Sequence, residues 1–494
     1  MFYKNVQTWG NVVFHRASVD GKDVIQREKG FKPRYWVPEQ KNKESGWTTI
    51  SGHPVTEINF DNIKSGKEFL EMNKDVDNAS VYGDIQPKYK YIAEKYPDEI
   101  SYNINDIVIC YLDIETAKTS DGDFPSAEQG NAPILTIALN FTNFTKKVIL
   151  GLKEYTPKED EFYVQCETEE ALLDKFLRIW KSNWPDIVSG WFIEGFDIPF
   201  LVHRIERVLG EKEANRLSPY GVVQTRQSKG NFGQEETLYT IYGISILDYL
   251  ALYKKFTYTG QETYQLNYIA EIELGEKKVD YSHIGTLHEL YEKDFQLFVE
   301  YNMKDVDLVV RLEEKLRFIE LVVSVALLAK VNFEDVFSPI RIWTVLVYNY
   351  LLTQKMVTPQ NVKHTSRSYE GAYVKVPVVG KYENVISYDV VSLYPSIIRM
   401  LNLGVETKRE IYPGITPDQL TFKDHTFIQN EIKTNGVSLA ANGVTYDKSK
   451  ISFFSYLMST IFEERINVKK KQIEKNNLLM EIETEMKRRG LKHR

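Results

Sequence analysis

The sequence predicts a multidomain protein of mixed α/β and α+β architecture, on three observations. Its 494 residues exceed one compact domain and fit roughly three to four. From about residue 105, apolar runs of strand length alternate with runs of helical spacing, the pattern of layered α/β folds. Hydrophobic residues make up 43% of the chain and aromatics 13%, ample for several buried cores.

The first hundred residues set short alternating runs (Val12-Val13-Phe14, Tyr35-Trp36-Val37) between turn clusters such as Asp20-Gly21-Lys22-Asp23. Residues 1–104 therefore read as a small α+β or β-rich domain. Ile107 to Asp113 is a buried-strand run, and Ile134–Leu139 and Val148–Leu150 can pair with it. Glu169 to Trp180 has apolar residues at helical spacing behind the start signal Thr168-Glu169-Glu170. Ile187 to Trp191 reads as another strand, leading to a helix that begins near Asp197. The segment 221–243 fits an extended hairpin, and helices dominate from about 285 to 355. Val385-Ile386-Ser387-Tyr388 returns to a strand pattern, and a long helix is expected from Phe453 to about Arg489.

Composition removes several classes of function. No apolar run reaches the ~18 to 20 residues of a membrane span, and Met1-Phe2-Tyr3-Lys4 does not open a signal peptide. Two cysteines, Cys110 and Cys166, make no disulfide framework and point to a reducing compartment. Eight scattered histidines give no zinc spacing. A net charge of −7 argues against a nucleic-acid coat, yet residues 465–494 hold ten Lys or Arg against four Glu.

The chemistry concentrates in two places. Asp113 and Glu115 are two apart on a strand and emerge on one face, where they repel unless a cation neutralises them. Asp197 enters a helix from a loop, and Tyr301 and Asp305, four apart on a helix, share a face. Four acids and a phenol can hold two hard divalent ions, Mg²⁺ or Mn²⁺, and orient a water. Such a pair of ions is the clamp for in-line displacement at phosphorus. Each fragment alone is weak, because an Asp-x-Glu on a strand is usually a solvated face.

In this order, the segments around Asp113-Ile114-Glu115, Gly195-Phe196-Asp197 and Tyr301 to Asp305 resemble the motifs of the proofreading 3′–5′ exonucleases, which have an RNase H-like fold. The resemblance implies that Asp113, Glu115, Asp197 and Asp305 ligate metal and that Tyr301 positions the water. Phe192 stands where that family usually has Asn, which implies a different grip on the primer end.

The second place is Ser387-Tyr388-Asp389-Val390-Val391-Ser392-Leu393-Tyr394-Pro395-Ser396-Ile397-Ile398, which resembles motif A of the family B DNA polymerases. The likeness spans nearly the whole chain and is nearest to the T-even phage type. It implies that Asp389 and the Val390 carbonyl hold metal, two ions per active site. Ser392, Leu393 and Tyr394 would meet the nucleotide, with Tyr394 beneath its sugar. Tyr369-Glu370-Gly371-Ala372 resembles a template-side loop, making Tyr369 and Gly371 candidate DNA contacts. Arg465 and Lys469 share a helix face suited to the triphosphate of a dNTP.

By this resemblance residues 105–316 are the exonuclease domain and 1–104, completed by about 317–360, the N-terminal domain. Residues 361–450 are the start of a palm, and 451–494 the start of helical fingers. Motifs B and C, a thumb and a clamp-binding tail are not in the sequence; Asp305-Val306-Asp307 lies on a helix and Asp121-Gly122-Asp123 reads as a turn. The expectation is the N-terminal subunit of a split replicative polymerase acting in the cytoplasm of an infected bacterium. Its partners would be primer-template DNA, dNTP, a C-terminal subunit, and a sliding clamp reached through that subunit, with no membrane. A stand-alone exonuclease with a vestigial palm and a non-catalytic DNA-binding or assembly module remain open alternatives. Phe462, Ile466, Ile473 and Met480 mark residues 453–494 as the first candidate interface.

Overall fold

The computed structural model describes residues 1–39, 45–74, 76, 79–119, 121–229, 235–359, 376–411, 436–440 and 442–490. They form two compact units, residues 1–47 with 54–361, and residues 48–53 with 362–494.

The first unit opens with an antiparallel sheet of β1 (Phe2–Trp9), β2 (Val12–Val19) and β3 (Lys22–Lys29). Asp20 and Gly21 both take positive φ between β2 and β3, the two-residue turn whose twist matches its flanking strands. Then come β4 (Arg34–Pro38), β5 (Trp47–Thr49, whose last two residues count with the second unit), β6 (Pro54–Asn59), α1 (Ile63–Asn73) and α2 (Pro87–Lys95).

The central sheet follows. In chain order the elements are β7 (Ile109–Thr116), β8 (Ile134–Phe141), β9 (Lys147–Gly151), β10 (Glu161–Gln165), α3 (Glu169–Ser182), β11 (Ile187–Gly190) and α4 (Asp197–Leu209). The hairpin of β12 (Val223–Lys229) and β13 (Glu235–Ile241) precedes β14 (Ser245–Asp248). The sheet order is β10-β9-β8-β7-β11-β14. β7, β8 and β9 run antiparallel, whereas β11 lies parallel to both β7 and β14. The Thr168 side chain caps α3 by accepting the Ala171 N–H, as its start signal implied.

Helices complete the unit: α5 (Tyr249–Phe256), α6 (Leu266–Leu274), α7 (Leu287–Lys293), α8 (Phe295–Leu316), α9 (Phe318–Ala329) and α10 (Pro339–Thr353), then a short β15 (Met356–Val357). β7 divides the interior by simple alternation. Cys110, Leu112 and Ile114 join the cluster built with α3 and α4, while Ile109 and Tyr111 join the cluster that contains α8 and α9. That second cluster also takes in Phe2 and Tyr3 of β1 and Val345 of α10, so one core crosses the expected boundaries at 104 and 316.

The second unit holds α11 (Leu393–Leu401), a sheet of β16 (Lys408–Ile411), β17 (Val437–Leu439) and β18 (Val444–Asp447), and the 36-residue α12 (Phe453–Arg488). Arg399 ties α11 to α12, donating to Ser459 Oγ at 3.0 Å with its guanidinium 4.7 Å from the Phe462 ring centroid. One expectation fails here. Val385–Tyr388 is not a strand, with Ile386 73% and Tyr388 90% exposed. An apolar run becomes a strand only where a neighbour completes its backbone ladder, and none does so among the described residues. No helix among the described residues is long and apolar enough to cross a membrane.

Gly190 ends β11 where the sheet is tightest, since a Cβ there would sit 2.4 Å from both the Leu112 carbonyl oxygen and Ile193 Cγ2. Gly190→Ala is expected to lower stability by about 1–3 kcal/mol, the usual range for overpacking. Urea denaturation measures it, and an unchanged midpoint would refute the contact.

Candidate active site

Asp113 and Glu115 continue the Ile109 and Tyr111 face of β7 and so turn toward α8, which packs across β7 and β8. On α8 the buried residues Phe298, Asn302, Asp305, Val309 and Leu312 recur at helical spacing. Apolar contacts dock the helix, and the same stripe carries its polar members to the carboxylates. Asp113, Glu115 and Asp305 each place one oxygen within 4.8 Å of the others.

Asp197 enters from α4. Its Oδ1 accepts the Ile114 N–H at 3.1 Å, which pins the first turn of α4 to β7 between the two strand acids. The loop before it is held by Asp248, at the start of α5. Asp248 accepts the N–H groups of Phe192 at 3.2 Å, Glu194 at 3.1 Å and Leu250 at 2.9 Å. Phe192 takes a φ of +68°, which costs a bulky residue roughly 1–2 kcal/mol.

Two further residues complete the constellation, and the motif reading passed over both. Asn302, fully buried, donates from Nδ2 to Asp113 Oδ2 at 2.6 Å. Lys278 is ion-paired with Asp305 Oδ2 and donates to the Tyr301 hydroxyl at 3.1 Å. Asn302 could have been found from its place inside the Tyr301–Asp305 turn. Lys278 lies in Gly275-Glu276-Lys277-Lys278, which reads as an ordinary polar turn. Its position comes from tertiary contacts. Lys304 pairs with Glu276 at 2.8 Å, Arg311 pairs with the same carboxylate, and the Lys278 N–H donates to Asn267 Oδ1 at 2.7 Å.

The electrostatics follow from crowding. Burial, then Asp197, Asp305 and Glu115, push the Asp113 carboxyl well above its ordinary range. Burial and Asp305 raise Glu115 to about 8 despite Lys278. Burial raises Asp197 to about 7 against the opposing hydrogen bond from Ile114. Burial also raises Asp305, with Lys278 and Lys304 pulling the other way. Burial disfavours the Lys278 charge, but Asp305 and Tyr301 outweigh it and hold the ammonium above the usual lysine range. Burial and Asp305 also raise Tyr301, keeping its phenol protonated. Lys278, the ammonium paired within the cluster, thus faces four carboxyls.

The donor set fits a divalent cation. The ligand atoms are hard oxygens, their ionised forms lack compensating charge, and the buried Asp305 Oδ1 has no hydrogen-bond partner among the described residues.

The second constellation is open. Ser392 is left-handed at φ 52°, starting α11, and the Ser396 hydroxyl donates to the Val391 carbonyl at 3.0 Å. Tyr394 is 77% exposed, Leu393 47% and Val390 56%. Asp389 is exposed, on chain without regular structure instead of the strand end that was expected. Arg465 and Lys469 sit four apart on the exposed surface of α12, and no ion pair joins either to Asp389 among the described residues. Tyr369 and Gly371 lie outside the described residues. Asp307 is paired with Lys147 at 2.8 Å, away from the acid cluster, and Gly122 turns at φ +86° between Asp121 and Asp123.

Residues 56–269 match the family model described as DNA polymerase family B, exonuclease domain, and residues 331–491 match DNA polymerase family B. The chain belongs to the family B DNA polymerases. The DNA-directed DNA polymerase of Escherichia phage RB69 is 31% identical to it over 490 residues, covering 94% of this chain and 53% of that protein. The DNA-directed DNA polymerase of Enterobacteria phage T4 is 28% identical over 498 residues, covering 95% and 54%. DNA polymerase 1 of Sulfolobus acidocaldarius is 25% identical over 437 residues, covering 84% and 45%. The chain spans about half the length of the curated relatives it matches.

The raised carboxyls make the folded chain bind more protons than the unfolded one between the ordinary carboxylate range and about pH 8, so they lower stability as pH rises through that window. A divalent ion relieves the same repulsion and competes with those protons. Mn²⁺ is therefore expected to raise the melting temperature more at pH 8 than at pH 5.5. At a free concentration a hundredfold above Kd the gain is about 2.7 kcal/mol. Equal gains at both values, or a gain preserved in an Asp113→Ala, Glu115→Ala variant, would contradict this reading in differential scanning calorimetry.

Proposed function

We propose that this chain is the exonuclease-bearing part of a DNA-directed DNA polymerase, removing nucleotides from a DNA 3′ end by metal-assisted hydrolysis. The observation that carries it is the cluster of Asp113, Glu115 and Asp305 on β7 and α8, with Asp197 hydrogen-bonded beside it. The match to a family B exonuclease domain over residues 56–269 supports the same reading. So does the sheet, in which three antiparallel strands continue into two parallel ones, as the expected RNase H-like fold requires.

Asp113, Glu115, Asp197 and Asp305 would hold two Mg²⁺ or Mn²⁺ ions, which supply charge stabilisation to the attacking and leaving oxygens. The chain's own residues do the rest. Asn302 fixes the rotamer of Asp113 through a hydrogen bond that a carboxylate accepts in either metal state. Tyr301, kept as a phenol, can accept from Lys278 while donating to a water. Lys278 balances part of the acid charge before ions bind.

The polymerase function rests on the match over residues 331–491. In this reading Asp389 and the Val390 carbonyl take metal, Ser392, Leu393 and Tyr394 meet the nucleotide, and Arg465 and Lys469 meet its triphosphate. Tyr369 and Gly371 contact template, and Phe192 contacts the primer end. A lone carboxylate cannot anchor two ions, so nucleotide addition needs the motif C acids, motif B and a thumb, none of which these 494 residues contain. The apolar residues Ile473 and Met480, 50% and 65% exposed on α12, support residues 453–494 as a surface that further polypeptide covers.

A single assay separates these statements. With Mg²⁺, a 5′-labelled single strand should be shortened by the wild-type chain and left at least a thousandfold more slowly by Asp113→Ala, Glu115→Ala. On a primed template with dNTPs the chain alone should not extend the primer. Digestion unaffected by the double substitution would refute the exonuclease. Extension by the isolated chain would refute the need for further polypeptide.

A further inference from the structure

The loop from Trp191 to Phe196 carries a feature that neither backbone preference nor burial accounts for. Phe192 occupies left-handed space that Gly or Asn adopts more readily, yet its ring remains 52% exposed. The conformation is held firmly. Asp248 accepts the Phe192 N–H, and the Phe192 carbonyl accepts the N–H groups of Gly195 and Phe196, both at 3.1 Å. One side of the ring lies against Gly195, where a Cβ would fall 2.2 Å from Phe192 Cζ. Phe192 and Gly195 both border a cleft of about 890 Å³ that is also lined by His203, Tyr239, Leu250 and Lys254. The same loop runs straight into Asp197, whose carboxylate is hydrogen-bonded to β7 between the two strand acids.

Resting on the exonuclease reading above, we infer that Phe192 is a stacking platform for one nucleobase near the 3′ end of a single-stranded DNA substrate. A flat, half-exposed π face fixed by its backbone accepts any base, because every base has a π face. The cleft has room for a nucleotide. A phenyl ring offers no hydrogen bond, so the grip is by stacking. Base identity then matters little, whereas the presence of a base matters much.

The test is a double-mutant cycle on binding, read by fluorescence anisotropy with a labelled oligonucleotide in EDTA, where metal-assisted hydrolysis does not proceed. Single abasic sites are placed at each of the last three positions. For wild type, one position should weaken binding roughly tenfold. Phe192→Ala should bind the intact strand roughly tenfold more weakly and be indifferent to that abasic site, and Phe192→Trp should restore both. Phe192→Ala binding as tightly as wild type, or keeping its abasic sensitivity, overturns the inference. Phe192→Trp and wild-type circular dichroism spectra control for folding. Hydrolysis is scored separately with Mg²⁺, so a chain that stacks without cutting would sink the exonuclease reading alone. A chain that cuts without Phe192-dependent stacking would sink only this one.

Discussion

The candidate active site depends on one steric fact, the alternation of side chains along β7. Cys110, Leu112 and Ile114 bind that strand to α3 and α4, so Asp113 and Glu115 have no choice but to face α8. α8 in turn is docked by Phe298, Val309 and Leu312, and that docking fixes where Asn302 and Asp305 arrive. A one-residue slip of β7 would send both strand acids into the apolar cluster behind it. The geometry of the acid cluster and the core are thus a single constraint.

Against that packing stands an electrostatic cost. Four carboxyls converge where Lys278 and, more distantly, Lys304 offer positive charge, and Asp113, Glu115, Asp197 and Asp305 are all shifted toward their protonated forms. Neutral replacements would be more stable, which is the usual mark of a site kept for chemistry. The Lys278 bridge to Asp305 and Tyr301 organises the phenol and the helix acid together. It also links the loop after α6 to the same helix, through the Glu276 pairs with Lys304 and Arg311.

Much of this was legible in the residues. Asp-x-Glu on a strand and Tyr-x-x-x-Asp on a helix are local patterns, and local geometry suffices to predict which face they share. Thr168 before α3 and the paired positive-φ turn at Asp20-Gly21 were similarly readable. Lys278 was not, because its approach to Asp305 is decided by contacts far away in sequence. Asp248 was equally hidden, since only the fold shows that it holds the Phe192 loop. The misreading of Val385–Tyr388 has the opposite origin. Its apolar composition is strand-like, but strand formation is a property of pairs, and the composition of one segment does not supply a partner.

The account therefore claims that β7, α4 and α8 assemble a cation site that Lys278 only partly neutralises. Anomalous diffraction from crystals equilibrated with Mn²⁺ tests this most directly. The prediction is two Mn²⁺ peaks among Asp113, Glu115, Asp197 and Asp305. Crystals that take up Mn²⁺ elsewhere, with Lys278 still paired to Asp305 and no peak among the four acids, would contradict it.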